Sequence, residues 1–302
     1  MPDTNNTQRP FQTRILIQII FIIGTCFLLG QMISAVLFLN SGITEIASID
    51  PDNPQQIAMF KAAHFFSSFL SFVVPALLIA WLVYRNPWRR LMLVGKLDIV
   101  WFIVPLICLF VALPWLNYLI QWNESIRFPD AWSGLYDSFR QSEDLAKHMT
   151  DIMLTGNTAT GLFLNILLIA LLPALGEELL FRGVIQSFLK DATRNAHIAI
   201  WVTALIFSAI HFQFFGFFAR LILGAFFGYL VLWSGSLWPA IAAHFFNNAL
   251  AVVAHYYMEQ GLITEQTAEF GSQTSDLGFS LISLLLTIVL LRFLFRKYKC
   301  KL

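Results

Sequence analysis

Residues 160–189 read TGLFLNILLIALLPALGEELLFRGVIQSFL. The stretch is almost unbroken in apolar character and longer than the about 20 residues a helix needs to cross a bilayer. Yet Glu177, Glu178 and Arg182 sit inside it. One acid at the centre of a span costs about 2.5–3.5 kcal/mol on insertion scales. Ionisable side chains at such depth face a protein interior or water, and they mark function. The stretch is therefore a membrane span with a polar purpose.

Seven further apolar runs accompany it, at 15–39, 62–84, 99–121, 197–215, 217–234, 237–258 and 278–296. The chain has 302 residues, 58% hydrophobic and 12% charged, about half the charge of a soluble domain. The expected fold is all-α: a polytopic membrane protein of about eight transmembrane helices. An open sheet cannot satisfy its backbone in lipid, and the alternating segments of about ten residues that make an outer-membrane barrel are absent from the sequence.

Charge orients the expected helices. With the N-terminus in the cytoplasm and eight crossings, only Lys61, Arg127, Arg140, Lys147 and Arg220 fall outside, Arg182 lies within a span, and every other Lys and Arg is cytoplasmic. Short loops biased this way set topology. An integral protein of a bacterial-type inner (plasma) membrane with both termini cytoplasmic is expected. The first run is read as an uncleaved anchor, because its apolar core exceeds a signal-peptide core and "SAVLFLNSGI" keeps bulky residues where cleavage needs small ones. Three cysteines, Cys26 and Cys108 in spans and Cys300 in the tail, suggest no disulfide framework. The terminal KCKL is not a prenylation signal.

The chain reads as a single membrane domain, 1–302, with its buried polar chemistry concentrated in a core at 160–258. Residues 122–157 form the longest polar segment, either a solvated loop or, through DSFRQSEDLAKHM, a short surface helix. Residues 259–277 make a second, acidic loop.

Three groups carry chemistry. Glu178 and Arg182 stand i,i+4 and can pair on one helix face. Glu177 points about 100° away and gains nothing from that pair. It needs another partner or a proton, which suits it to the work of a general base. Gly176 and Gly183 flank the group and permit close helix approach. "FSAIH" sets Phe207 one turn below His211, which taken alone reads equally as an interfacial histidine. "HFFNN" puts His244 and Asn248 on one face, with Asn247 about 100° off it. Pro239 suits the first turn of that helix. His64, His148, His197 and His255 read as structural, solvated or interfacial, and Arg220 as a snorkelling side chain. The aromatic run HFQFFGFF suits lipid contact or, less readily, a substrate groove. From the cytoplasmic helix ends, Glu177 lies about 18 Å in, His211 about 20 Å and His244 about 10 Å. Helix tilt must absorb the mismatch.

E-E-x-x-x-R, F-x-x-x-H and H-x-x-x-N, in that order on successive apolar spans, resemble the CPBP family of intramembrane proteases. That family includes the CAAX prenyl endopeptidases and bacteriocin-immunity proteins. The resemblance covers 160–258 and departs from the family pattern at no motif residue. It implies that Glu177 and His211 activate a water that attacks a peptide carbonyl, that His244 and Asn248 stabilise the oxyanion, and that Glu178 and Arg182 are structural support. The implied activity is an intramembrane endopeptidase acting on a membrane-associated or lipidated peptide or protein within the lipid bilayer, with no nucleic-acid partner. No cofactor is favoured. The alternative is a zinc ion on Glu177, His211 and His244, although H-E-x-x-H is absent. Two rival functions remain: a proton-coupled transporter, since acid–histidine chains also mark pumps, and a non-catalytic binding or immunity protein.

Overall fold

The structure, a computed structural model, describes residues 4–84, 87–95, 98–156 and 158–299. Cys300 lies outside them. The elements that position the site are helices α1 (Thr4–Asn40), α2 (Pro54–Val83), α3 (Val100–Glu124), α4 (Ser133–Leu154), α5 (Ala159–Thr193), α6 (Ala196–Ala209), α7 (Phe217–Ser234), α8 (Trp238–Glu259) and α9 (Leu277–Lys299). No strand occurs among the described residues. The all-α expectation holds, and the chain is an integral membrane protein.

Each of the eight expected spans contains a helix, but among the described residues only six helices are long and apolar enough to cross a bilayer: α1, α2, α3, α5, α7 and α9. The count of eight is not reproduced, for two physical reasons. The segment expected at 197–215 stays helical for only 14 residues, ending before His211. The 22 residues of α8 carry His244, Asn247, Asn248 and His255 on their helix, which lowers its apolarity.

The helices pack as antiparallel neighbours wherever the linker is short. Arg194 adopts a left-handed backbone (φ 54°) after α5, and Asn195 caps α6 through the His197 and Ile198 amides, so α5 and α6 reverse within a few residues. Gly235, at φ 76°, closes α7 by donating to the Val231 carbonyl at 2.9 Å. α1 lies against α2, α9 against α3, and α6 against α7. α8 is enclosed by α3, α5 and α7. Its first turn is recessed: Leu237 is fully buried and donates its N–H to the Met92 carbonyl at 3.1 Å, while Trp238 Nε1 bonds the Leu93 carbonyl at 3.1 Å.

The polar segment 122–157, open to two readings from sequence, contains a 22-residue amphipathic helix, α4. Ile152 and Met153 enter a small core with Ile43, Ile49 and Phe60. Its other anchor is aromatic. Phe139 stacks on Phe214 at 5.2 Å, and the Arg140 guanidinium lies 3.6 Å over the Phe215 ring. Part of HFQFFGFF therefore faces protein, Phe215 being buried, whereas Phe212 is exposed.

Candidate active site

α5 is not a uniform helix. It widens into π turns over Ile166–Leu171 and again over Glu178–Gln186. Such turns concentrate at functional sites, and here the first has a visible cause. Pro173 has no N–H and its ring crowds the carbonyl of the preceding turn. The backbone expands upstream of it, and carbonyls there turn to other helices. Asn248 Nδ2 reaches the Ile169 carbonyl at 3.5 Å, a long contact. The His64 ring approaches the carbonyl of Leu168.

One turn beyond Pro173 the chain presents Glu177 and Glu178. Glu178 is completely buried, as is Arg182. Arg182 Nη1 meets Glu178 Oε1 at 2.8 Å, and its Nη2 bonds the Gly224 carbonyl at 2.9 Å. The guanidinium also lies 4.7 Å from the Phe207 ring and 5.5 Å from Phe227. Gln186, one turn on, repeats the contact by bonding the Gly228 carbonyl at 3.2 Å. α7 can come this close because residues 224 and 228 are glycines. A Cβ at 228 would stand 2.7 Å from Gln186 Oε1, and one at 224 would stand 3.2 Å from the Ala204 Cβ.

The same Glu178 oxygen accepts from His244 Nδ1 at 2.9 Å. A carboxylate behind an imidazole fixes its tautomer and its orientation. The Phe227 ring stacks flat on His244 at 5.0 Å and 15°, and Phe207 meets it edge-on at 6.0 Å. His244 is thus held by one stacked ring, one edge-on ring and one hydrogen bond. Its free Nε2 points to Glu177, with Oε2 3.9 Å away. Glu177 is buried, and among the described residues no Lys or Arg forms an ion pair with its carboxylate.

His211 follows the end of α6. Its Nδ1 bonds the Phe207 carbonyl at 2.8 Å, leaving Nε2 as an acceptor. Phe207 lies edge-on to both imidazoles, so one ring borders His211 and His244 alike. His211 opens onto a cavity of about 330 Å³ that also touches His64, Ile169 and Pro173. Arg220, expected to snorkel outward, instead turns to Gln213, which donates to Glu143 Oε1 at 3.2 Å.

The structure therefore brings together Glu177, Glu178, Arg182 and His244. His211 and Asn248 flank this group without a direct bond to Glu177 among the described residues. Among the described residues, no group of three or more His, Cys, Asp or Glu stands close enough together to hold a metal ion. Sequence reasoning missed Gln186, Gly224, Gly228 and Phe227. The polar Gln186, four residues past Arg182, was a readable signal, while Phe227 carries none.

Residues 159–250 match the family model described as type II CAAX prenyl endopeptidase Rce1-like. The segment is similar to Rce1-like proteases. The resemblance read from the three motifs thus holds over nearly the same residues. The Rce1-like segment contains Glu177, Glu178, Arg182, His211, His244 and Asn248, and it excludes α1 to α4 and α9. A curated relative, "Uncharacterized protein YpbD" of Bacillus subtilis (strain 168), is 33% identical over 90 residues, covering 28% of this chain and 43% of that protein. The chain thus spans less than half of the relative it matches. No solved structure matches this chain.

Proposed function

We propose that the chain is an intramembrane endopeptidase that hydrolyses a peptide bond of a membrane-associated, in some cases prenylated, substrate with a water activated at Glu177. One observation carries this reading: His244 is held by Glu178 at Nδ1 and presents Nε2 to Glu177 at 3.9 Å. Two carboxylates and one guanidinium leave one negative charge, and a buried group is far cheaper when neutral. One additional proton completes the balance, with Glu177 and His244 Nε2 as its two homes. With the proton on His244, Glu177 is free to act as a base and Nε2–H is a donor.

A water about 2.8 Å from both Glu177 Oε2 and His244 Nε2 fits the gap between them. Its oxygen bonds to the scissile carbonyl carbon while its proton passes to Glu177. The oxyanion accepts from His244 Nε2–H, with Asn248 Nδ2, one turn along α8, as the second donor. His211 Nε2 steadies the water from the cavity side. When the intermediate collapses, the C–N bond breaks and Glu177 returns the proton to the leaving amine. The Lys/Arg asymmetry supports an orientation with both ends cytoplasmic.

The test is cleavage of membrane-inserted peptides by the protein reconstituted in liposomes. Glu177→Gln keeps the shape and removes the base, so turnover should fall by about 10²–10⁴-fold. Unchanged turnover in Glu177→Gln, or solute flux without any cleavage in the wild type, would overturn the reading.

A further inference from the structure

The cavity beside His211 is walled largely by residues outside the Rce1-like segment. α4 supplies Ala146, Met149, Thr150 and Met153. These stand at i, i+3, i+4 and i+7, so one helical stripe forms a complete wall. α2 supplies Phe60 and His64 opposite. The segment that carries the motifs contributes only Ile169, Pro173 and His211. Pro173 stands one turn from Glu177 on α5, so whatever fills the cavity lies one helical turn from the proposed base.

We infer that this cavity is a specificity pocket that seats one bulky apolar side chain of the substrate, next to the bond that is cut. The inference rests on the proposed hydrolase reading. Three observations select the occupant. The walls are mostly thioether, aromatic and aliphatic; the polar side chains are His211, His64 and Thr150, whose hydroxyl is turned to the Ala146 carbonyl at 2.9 Å. Methionine walls adapt to varied apolar shapes. At 330 Å³ the space is about twice that of an engineered cavity that takes a single benzene. That accommodates an aromatic or branched side chain and leaves little room for a run of backbone. His211 is the one proposed site residue that lines the cavity, so a side chain entering from the scissile bond passes His211 first.

α4 thereby becomes a selectivity element. It is held in place by the Phe139–Phe214 stack and the Arg140–Phe215 contact, which tie it to the loop that follows His211. The wall of the pocket and the histidine at its mouth are positioned by one aromatic cluster.

Two measurements test this. In the first, full-length Glu177→Gln protein in liposomes is irradiated with a hydrophobic membrane peptide carrying one benzoylphenylalanine, stepped along the peptide. Adducts should map to Met149 or Met153 for a single probe position, and adducts confined to other helices would overturn the pocket. A matched peptide with a photoreactive S-prenyl cysteine gives the second arm. If the prenyl chain marks Met149 and Met153 and the side-chain probe does not, the pocket holds the lipid and the inference fails. In the second measurement, Ala146→Trp fills the cavity and Met149→Ala enlarges it. Filling should raise KM for a peptide with a bulky residue by about tenfold or more relative to one with alanine there, and enlarging should shift preference toward larger residues. Equal KM ratios in wild type and both variants would sink the proposal. Cross-linking at Met149 with no cleavage of any peptide would instead count against the hydrolase reading, leaving the pocket intact.

Discussion

Arg182→Met is the most informative single perturbation of the buried centre. It removes the 2.8 Å pair with Glu178 and the 2.9 Å bond to the Gly224 carbonyl. Glu178, with no exposed surface, then keeps only the His244 imidazole. Breaking a buried pair from one side costs about 3–5 kcal/mol, because the survivor is a desolvated charge without compensation. That is two to four decades in the folding equilibrium. Deleting both charges, as Glu178→Met with Arg182→Met, removes the stranded carboxylate. What remains is the unmet His244 Nδ1 donor, worth about 1–3 kcal/mol. The double variant should therefore be more stable than Arg182→Met, with a coupling of about 2 kcal/mol. Equilibrium unfolding by SDS in mixed micelles, followed by the fluorescence of the nine tryptophans, reads all four corners of the cycle. A double variant no more stable than Arg182→Met refutes the stranded-charge argument. A stable double variant should still be inactive, because nothing then orients His244.

Three further outcomes follow from the geometry. Gly176→Ala would place its Cβ 2.9 Å from the Phe72 Cβ and 3.1 Å from Val73 Cγ2, so the same titration should show a loss of about 1–3 kcal/mol; wild-type stability would contradict the close α2–α5 contact. Asn248→Ala should lower kcat by about a hundredfold with KM little changed, the pattern of a donor that acts on the transition state; a rise in KM alone would make it a binding residue. Glu143, on α4 outside the spans, is held above the usual carboxylate range by burial, against the opposing pull of Arg220. Such an acid binds more protons folded than unfolded, so it weakens the fold progressively as pH rises above that range and levels off past its raised value. Glu143→Gln keeps an acceptor for Gln213 Nε2, and it should match the wild type in acid and exceed it at neutral pH in thermal melts. Parallel melting curves across pH would refute this.

The helical class was readable because apolar runs of bilayer length leave a backbone few choices. The Glu178–Arg182 pair was readable because i,i+4 spacing fixes proximity within one helix. The junction of His244 with Glu178 was not, since no local rule sets how deep α8 starts. That depth comes from Leu237 and Trp238 hanging on the Met92 and Leu93 carbonyls, a contact between residues far apart in the chain. The helix in the fifth expected span is shorter than its apolar run: hydropathy runs on through Ile210 and Phe212, but the helix stops at Ala209 and a turn displays His211. α4 was half legible. Its polar residues concealed a helix whose apolar stripe gains meaning only beside Phe60 and Phe214.

Pro173 has a consequence larger than its own side chain. A proline deletes one rung of a helix ladder, and here the neighbouring rungs serve as mooring points: His64 on α2 approaches the Leu168 carbonyl, and Asn248 on α8 reaches that of Ile169. Three helices thus meet at a local defect in the middle one. Restoring the rung with Pro173→Ala would let α5 straighten and reclaim its acceptor, loosening both moorings in a single stroke.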